Sequence, residues 1–431
     1  MPRPMKDSGV DWLGDIPADW KLCRLKDVCN GFNNGTSKIQ LDKGISDYPV
    51  TRIETISSGK INYDKVGYVD DLEENYKLQK FDILVSNINS IPRLGNCAMY
   101  FAEKPLYHGM NLLKISPENI NPIFLLYGLK SDIFSYNIKL LCKPAINQAS
   151  VTAKDIKNIK IPLPPLDEQQ RIATFLDGEC ARIDSVIEKT RASIVEYKKL
   201  KQAIITRAVT KGIRPARPMK DSGVEWLGEI PKSYTVQKIK RLGSYRNGLT
   251  YSPNDIVDKG QGTLILRSSN IQKGKLCFED NVYVNADIPE QLMVQKGDII
   301  ICSRNGSREL IGKCAIVEND MVASFGAFMM IFKCDSSKYM YYILSSDVFK
   351  YYLSTFLTST INQLTGGNFG NMEVVWCADK EEQKEIAQYL DEKTAAIDLL
   401  VEKKNQLVTE LERLKKSLIF EYVTGKKAVP Q

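Results

Sequence analysis

Met5-Lys6-Asp7-Ser8-Gly9-Val10-Asp11-Trp12-Leu13-Gly14 returns as Met219-Lys220-Asp221-Ser222-Gly223-Val224-Glu225-Trp226-Leu227-Gly228, each residue 214 positions after its counterpart. Far downstream, Glu168-Gln169 with Ile172-Ala173, Leu176-Asp177 and Ile183-Asp184 returns as Glu382-Gln383 with Ile386-Ala387, Leu390-Asp391 and Ile397-Asp398, at the same offset of 214. One offset at both ends means two whole modules of equal length. Each is far longer than a solenoid period of roughly 20–50 residues. The chain is therefore a duplicated pair of domains, and the question is what needs two similar units in one polypeptide.

Within each module the ends match while the middles diverge. The middles carry short apolar runs, Phe81-Asp82-Ile83-Leu84-Val85 and Asp298-Ile299-Ile300-Ile301-Cys302, between Gly, Asn and Ser, as strands do. Helical stretches such as Ile123 to Tyr127 and Tyr339 to Leu353 lie beside them, so the middles read as α+β globules. Faint echoes survive between them: Thr51-Arg52-Ile53 with Leu266-Arg267-Ser268, and Gly95-Asn96-Cys97-Ala98 with Gly312-Lys313-Cys314-Ala315. A shared scaffold holding different loops is the pattern expected of two different recognition surfaces.

The tails read as helices. No proline interrupts Asp167 to Thr210, and the apolar stripe Ile172, Leu176, Cys180, Ile183, Ile187, Ile194, Tyr197, Leu200 and Ile204 recurs as Ile386, Leu390, Thr394, Ile397, Val401, Val408, Leu411, Leu414 and Leu418. Spacings of three, four and seven make a heptad seam. Such a stripe also suits a surface helix on its own globule. A helix of this length, however, spans roughly 65 Å and must pack on something beyond its own module. The other tail is the natural partner, and connectivity makes the pair antiparallel. The expected fold is α+β: two mixed globules joined by two long antiparallel coiled-coil helices, with pseudo-two-fold internal repetition. The expected boundaries are a repeat segment 1–19, globules 20–165 and 234–378, long helices 166–212 and 379–425, and a linker 213–233.

Composition narrows the chemistry. The 59 basic against 52 acidic side chains leave a net charge of +7, compatible with a polyanionic partner. No apolar run reaches the roughly 18 residues of a membrane helix, and the N-terminus lacks the apolar core of a signal peptide. Ten cysteines contain no CxxC pair, which points to a reduced, cytoplasmic setting without a zinc knuckle. His108 is the single histidine and reads as structural. Gly306 to Cys314 approaches a phosphate loop, but it has one residue too many and a cysteine where Ser or Thr should stand. Asp391-Glu392-Lys393 reads as a solvated helix face. No catalytic or metal-ligating set stands out, so binding remains. The side chains suited to reading base edges are Arg52, Asn87, Asn89, Arg93, Asn147 and Gln148 in the first globule. In the second they are Arg267, Asn270, Arg304, Asn305, Arg308, Asn362 and Gln363. Any one of them reads first as a turn former or a solvated polar side chain; as a set, on corresponding loops, contact with bases becomes as good a reading.

Trp12-Leu13-Gly14-Asp15-Ile16-Pro17, its copy Trp226 to Pro231, and Ile161-Pro162-Leu163-Pro164-Pro165-Leu166-Asp167-Glu168-Gln169 together resemble the specificity subunit of type I restriction–modification systems. The second copy, Val375 to Gln383, keeps Glu-Gln but lacks the prolines. The resemblance covers essentially the whole chain. It implies two target recognition domains, each reading half of a bipartite asymmetric site in double-stranded DNA. It further implies that the paired helices act as a spacer and as a dock for two methyltransferase (modification) subunits. S-adenosylmethionine, ATP and magnesium would belong to those partners and to the restriction subunits, none to this non-catalytic chain, in a bacterial or archaeal cytoplasm. The rival reading is a coiled-coil interaction scaffold with no DNA role.

Overall fold

The computed structural model describes residues 3–41, 48–145, 148–356 and 362–430. They form two compact units: unit 1 comprises 1–190 with 406–431, and unit 2 comprises 191–405. Each unit thus takes part of both long helices.

Unit 1 is built on a four-stranded antiparallel sheet in the order Cys29–Asn34, Leu113–Pro117, Ile83–Val85, Cys97–Met99. The run Ile83-Leu84-Val85 is apolar throughout because both faces of the sheet are covered. Ile83 and Val85 point into a core with Phe124, Leu125, Phe134 and Ile138 from the helices Pro122–Lys130 and Asp132–Leu141. Leu84 points the other way, among Ile56, Leu78, Ala98, Tyr100 and Leu112. Strand alternation therefore sorts one apolar run into two cores. Unit 2 repeats the plan with Ser244–Asn247, Met329–Lys333, Ile299–Cys302 and Cys314–Ile316 in the same order. Ile299 and Ile301 face the helices Ser337–Leu344 and Asp347–Phe356, while Ile300 and Cys302 face a smaller core with Leu266, Ile271 and Phe325.

The first long helix runs Leu166–Lys211 and the second Lys380–Val423. In unit 1 they lie antiparallel: the rings of Phe175 and Tyr422 are 4.6 Å apart, and Lys415 Nζ meets Asp184 Oδ1 at 2.6 Å. In unit 2, Lys404 sits over the Tyr197 ring and Lys201 Nζ meets Asp398 Oδ2 at 2.6 Å. Asp184–Lys415 and Asp398–Lys201 are the same ion pair repeated at the 214-residue offset. The named seam residues Ile172, Leu176, Ile187, Ile194, Ile386, Leu390, Ile397 and Val408 are buried, and Ile183, Val401 and Leu411 are half-buried. Leu200 and Leu414 are corrections, with 48% and 54% exposure. At about 100° per residue, a side chain six positions past Ile194 or Val408 lies some 120° off the seam, whereas the seventh, Lys201 or Lys415, returns to it. The ion pairs therefore occupy the positions assigned to leucine.

Each helix entry is fastened in the same way. Glu168 accepts from Trp20 Nε1 (2.9 Å) and pairs with Arg3, and Gln169 Nε2 donates to Pro164 O (2.9 Å). Glu382 accepts from Tyr234 OH (2.7 Å) and Arg217 (2.6 Å), and Gln383 Nε2 donates to Cys377 O (2.6 Å). The second helix needs no prolines because Asp379 Oδ1 accepts from Glu381 N and Glu382 N, supplying the N-terminal cap. No helix of the described residues is long and apolar enough to cross a membrane.

Candidate nucleic-acid interface

Equivalent backbone hydrogen bonds align the loops of the two units. Val151 N donates to Asn87 O, as Leu364 N donates to Ser303 O; Gly95 N donates to Ser86 O, as Gly312 N donates to Cys302 O. Thr36 N donates to His108 O, as Leu249 N donates to Phe325 O. Arg52 and Arg267 each precede a 3-10 turn, and their backbone N–H groups are held by Thr55 Oγ1 and Asn270 Oδ1. Hence Ile88 corresponds to Arg304, Asn89 to Asn305, Arg93 to Leu310 and Arg52 to Arg267. The candidate loops do correspond, but residue by residue the chemistry differs.

In unit 2 these loops line a cleft of about 1060 Å³ at one end of the sheet's strands. Arg267, Arg304, Asn305, Asn362 and Gln363, five residues expected to read bases, line it together with Tyr251, Asp280 and Phe328. Arg304 is exposed, its guanidinium 5.0 Å above the ring of Phe328, and its backbone bridges to Gln363. Arg267 pairs with Asp280 (2.8 Å). Asn305 is a loop builder: Nδ2 donates to Ser268 Oγ and Oδ1 accepts from Ser307 N. Arg308 lies outside the cleft lining, exposed, with Nη2 on Ser354 O at 3.3 Å. Asn362 is exposed and Gln363 half-buried.

In unit 1, Arg93 and Gln148 are exposed, Arg52 is half-buried against Gln40, and Asn89 is tied to Ser86 Oγ and Ser90 N. Asn147 lies outside the described residues. Two candidates are corrections. Asn87 is buried, with Nδ2 on Val151 O and Oδ1 on Asn34. Asn270 is fully buried, with Nδ2 on Cys277 O and Asp280 O. Both amides hold backbone that strands cannot satisfy, so their hydrogen bonds are spent inside the fold.

Sequence reasoning passed over Phe328. It falls in an apolar run that reads as strand, yet the tight turn Gly326–Met329, closed by Met329 N on Gly326 O, leaves it 57% exposed. Its counterpart turn Gly109–Leu112 exposes Met110. The signal was the glycine shared by His108-Gly109-Met110 and Phe325-Gly326-Ala327. His108 is structural: its Nε2 meets Leu112 O at 2.9 Å, and burial holds its pKa down to about 4. A side chain at Gly35 would strike the His108 carbonyl, and one at Gly248 the Phe325 carbonyl, so glycine is required where each loop crosses its turn. Gly306 to Lys313 holds only a three-residue 3-10 turn, Arg308–Leu310, and leads into the strand Cys314–Ile316 rather than into the α-helix a phosphate loop requires. No group of three or more metal-ligating side chains occurs among the described residues.

The model for the type I restriction modification DNA specificity domain matches twice, at residues 17–194 and 231–409. The putative type I restriction enzyme MjaX specificity subunit of Methanocaldococcus jannaschii is 31% identical, covering 96% of this chain and 95% of its own length. The EcoKI specificity subunit of Escherichia coli K12 is 26% identical over 71% of this chain and 66% of its own. Among solved structures, a chain from work on complex assembly and conformational transition of the type I R-M system has a TM-score of 0.72 at 18% identity, covering 96% of this chain and 99% of that one. The HsdS subunit from Thermoanaerobacter tengcongensis has a TM-score of 0.50 at 18% identity, covering 96% and 98%.

Proposed function

Because the chain belongs to the type I restriction–modification DNA specificity family, we propose that each unit reads one half of a bipartite, asymmetric site in double-stranded DNA. The observation that carries this reading is one scaffold with unlike side chains at matching places: Ile88 against Arg304, Arg93 against Leu310. Two copies of one reader would call for matching side chains, and a scaffold protein would call for no cleft lined by arginines and amides. The cleft's donors suit base edges, and the chain's net charge of +7 suits the DNA backbone.

A type I specificity subunit works with DNA and with modification and restriction subunits. On our reading this chain docks two modification subunits, binds no cofactor itself, and works in the cytoplasm. S-adenosylmethionine, ATP and magnesium are held by the partners. The repeated parts, helix entries and long helices, suit a repeated partner, and the long helices set the spacing of the half-sites.

Mapping adenine methylation across the genome of cells carrying this chain and its modification subunit tests the reading. The expected result is one asymmetric motif of two specific parts with a fixed unspecified gap. A contiguous or palindromic motif, or methylation blind to sequence, would refute it; the last result would favour the scaffold reading.

A further inference from the structure

We propose that Arg304, lying over the ring of Phe328, reads a guanine in the half-site bound by unit 2, and that unit 1 makes no equivalent contact. The inference rests on the function proposed above and adds the chemistry of one base. Two arginines line the cleft, and only one is at liberty. Arg267 is committed to Asp280 at 2.8 Å. The side chain of Arg304 is exposed and has no hydrogen-bond or ion-pair partner among the described residues. Its guanidinium lies 5.0 Å from the centre of a ring that is itself 57% exposed.

The ring lies under the guanidinium and restrains the side chain, while its N–H groups have no partner among the described residues. A flat fork of donors with no partner fits the O6 and N7 acceptors of guanine in the major groove. A phosphate also accepts such a fork, but the amides Asn362 and Gln363 line the same cleft, and their paired donors and acceptors match a base edge rather than an anion. The backbone bridge from Arg304 to Gln363 fixes the root of the side chain, so the fork is held before DNA arrives.

Unit 1 has neither half of this device. Ile88 stands where Arg304 stands, and Asn111 occupies the turn position of Phe328. At these two positions unit 1 offers no guanidinium, whatever base that half-site presents.

The test uses the complex of the full chain with its modification subunit. Once the wild-type motif is known, duplexes carrying it are made with each guanine replaced singly by 7-deazaguanine, which lacks the N7 acceptor. Binding is then measured by fluorescence anisotropy. One replacement, in the half-site of unit 2, should weaken wild-type binding roughly 10-fold or more. The R304A complex should be indifferent to that replacement and should methylate sites carrying other bases at that position, with the other half-site unchanged. F328A should keep the guanine preference in weakened form. The proposal is overturned if no guanine of that half-site is sensitive in the wild type. It is equally overturned if R304A weakens every duplex alike and lowers the salt dependence by about one counterion, as loss of a phosphate contact would. A wild-type complex with no bipartite motif would sink the proposed function and this inference together, whereas the results above leave the function standing.

Discussion

Removing the carboxylate of Glu382 should destabilise unit 2 more than removing its counterpart Glu168 destabilises unit 1, although the two residues are exact repeats in sequence. Glu382 has 4% of its side chain exposed and accepts from Arg217 at 2.6 Å and Tyr234 OH at 2.7 Å. Burial, then the bond to Glu382, push the Tyr234 phenol well above its usual pKa, so it remains a donor. Arg217 is 16% exposed, and its Nε and Nη1 already lack partners. Glu382→Ala would strand that guanidinium, a loss of about 3–5 kcal/mol for a broken buried pair. Arg3 is more exposed, at 24%, and keeps Asp19 at 2.9 Å when Glu168 is removed. Glu168→Ala therefore costs mainly three hydrogen bonds, two from Arg3 and one from the buried Trp20 indole, each worth about 0.5–1.5 kcal/mol. Urea unfolding followed by tryptophan fluorescence can read both, because Trp12 and Trp20 lie in unit 1 and Trp226 and Trp376 in unit 2. The variant R217M/E382M, which removes both charges and keeps apolar volume, should recover part of the loss. Equal losses for the two alanine variants, or a double variant as unstable as Glu382→Ala, would refute the stranded-cation argument.

Two other outcomes follow from the same structure. His108 is buried with its pKa lowered from 6.5 to about 4, so the unfolded chain takes up a proton that the folded chain refuses. Stability present above the unfolded pKa is therefore lost as pH falls toward 4, by about 2 kcal/mol between pH 7 and 5. H108F, which installs the residue found at the corresponding Phe325, should flatten that dependence in urea titrations at the two pH values. Adding four residues to each long helix lengthens it by about 6 Å with a turn of about 40°. The gap in the methylation motif should then grow by one or two base pairs of about 3.4 Å, and an unchanged gap would defeat the spacer role.

The candidate site was legible only in outline. Arg304 was visible as a donor on the loop after a buried strand, and Asn362 and Gln363 as candidates late in the second globule, and the three do meet in one cleft. Asn87 and Asn270 looked the same in sequence, yet both are buried against backbone carbonyls. An amide satisfies a distant carbonyl as readily as a base, and nothing local distinguishes the two uses. Phe328 was hidden by the opposite confusion, since an exposed ring at a tight turn and a core ring in a strand share one apolar run.

The duplication, the two long helices and the α+β middles were determined by sequence alone, because a repeat offset is a property of the one-dimensional string and a three-four-seven spacing depends only on residues near one another in it. Tertiary structure decided which side chain fills each shared position. Lys201 and Lys415 sit on the seam where Leu200 and Leu414 were expected, since helical phase decides seam membership and a lysine there can carry its charge to Asp398 or Asp184. It likewise set Ile88 against Arg304, a correspondence defined by backbone hydrogen bonds from residues some 60 positions away along the chain. Periodicity is local and survives in one dimension, whereas partnership across a cleft exists only once distant segments have been brought together.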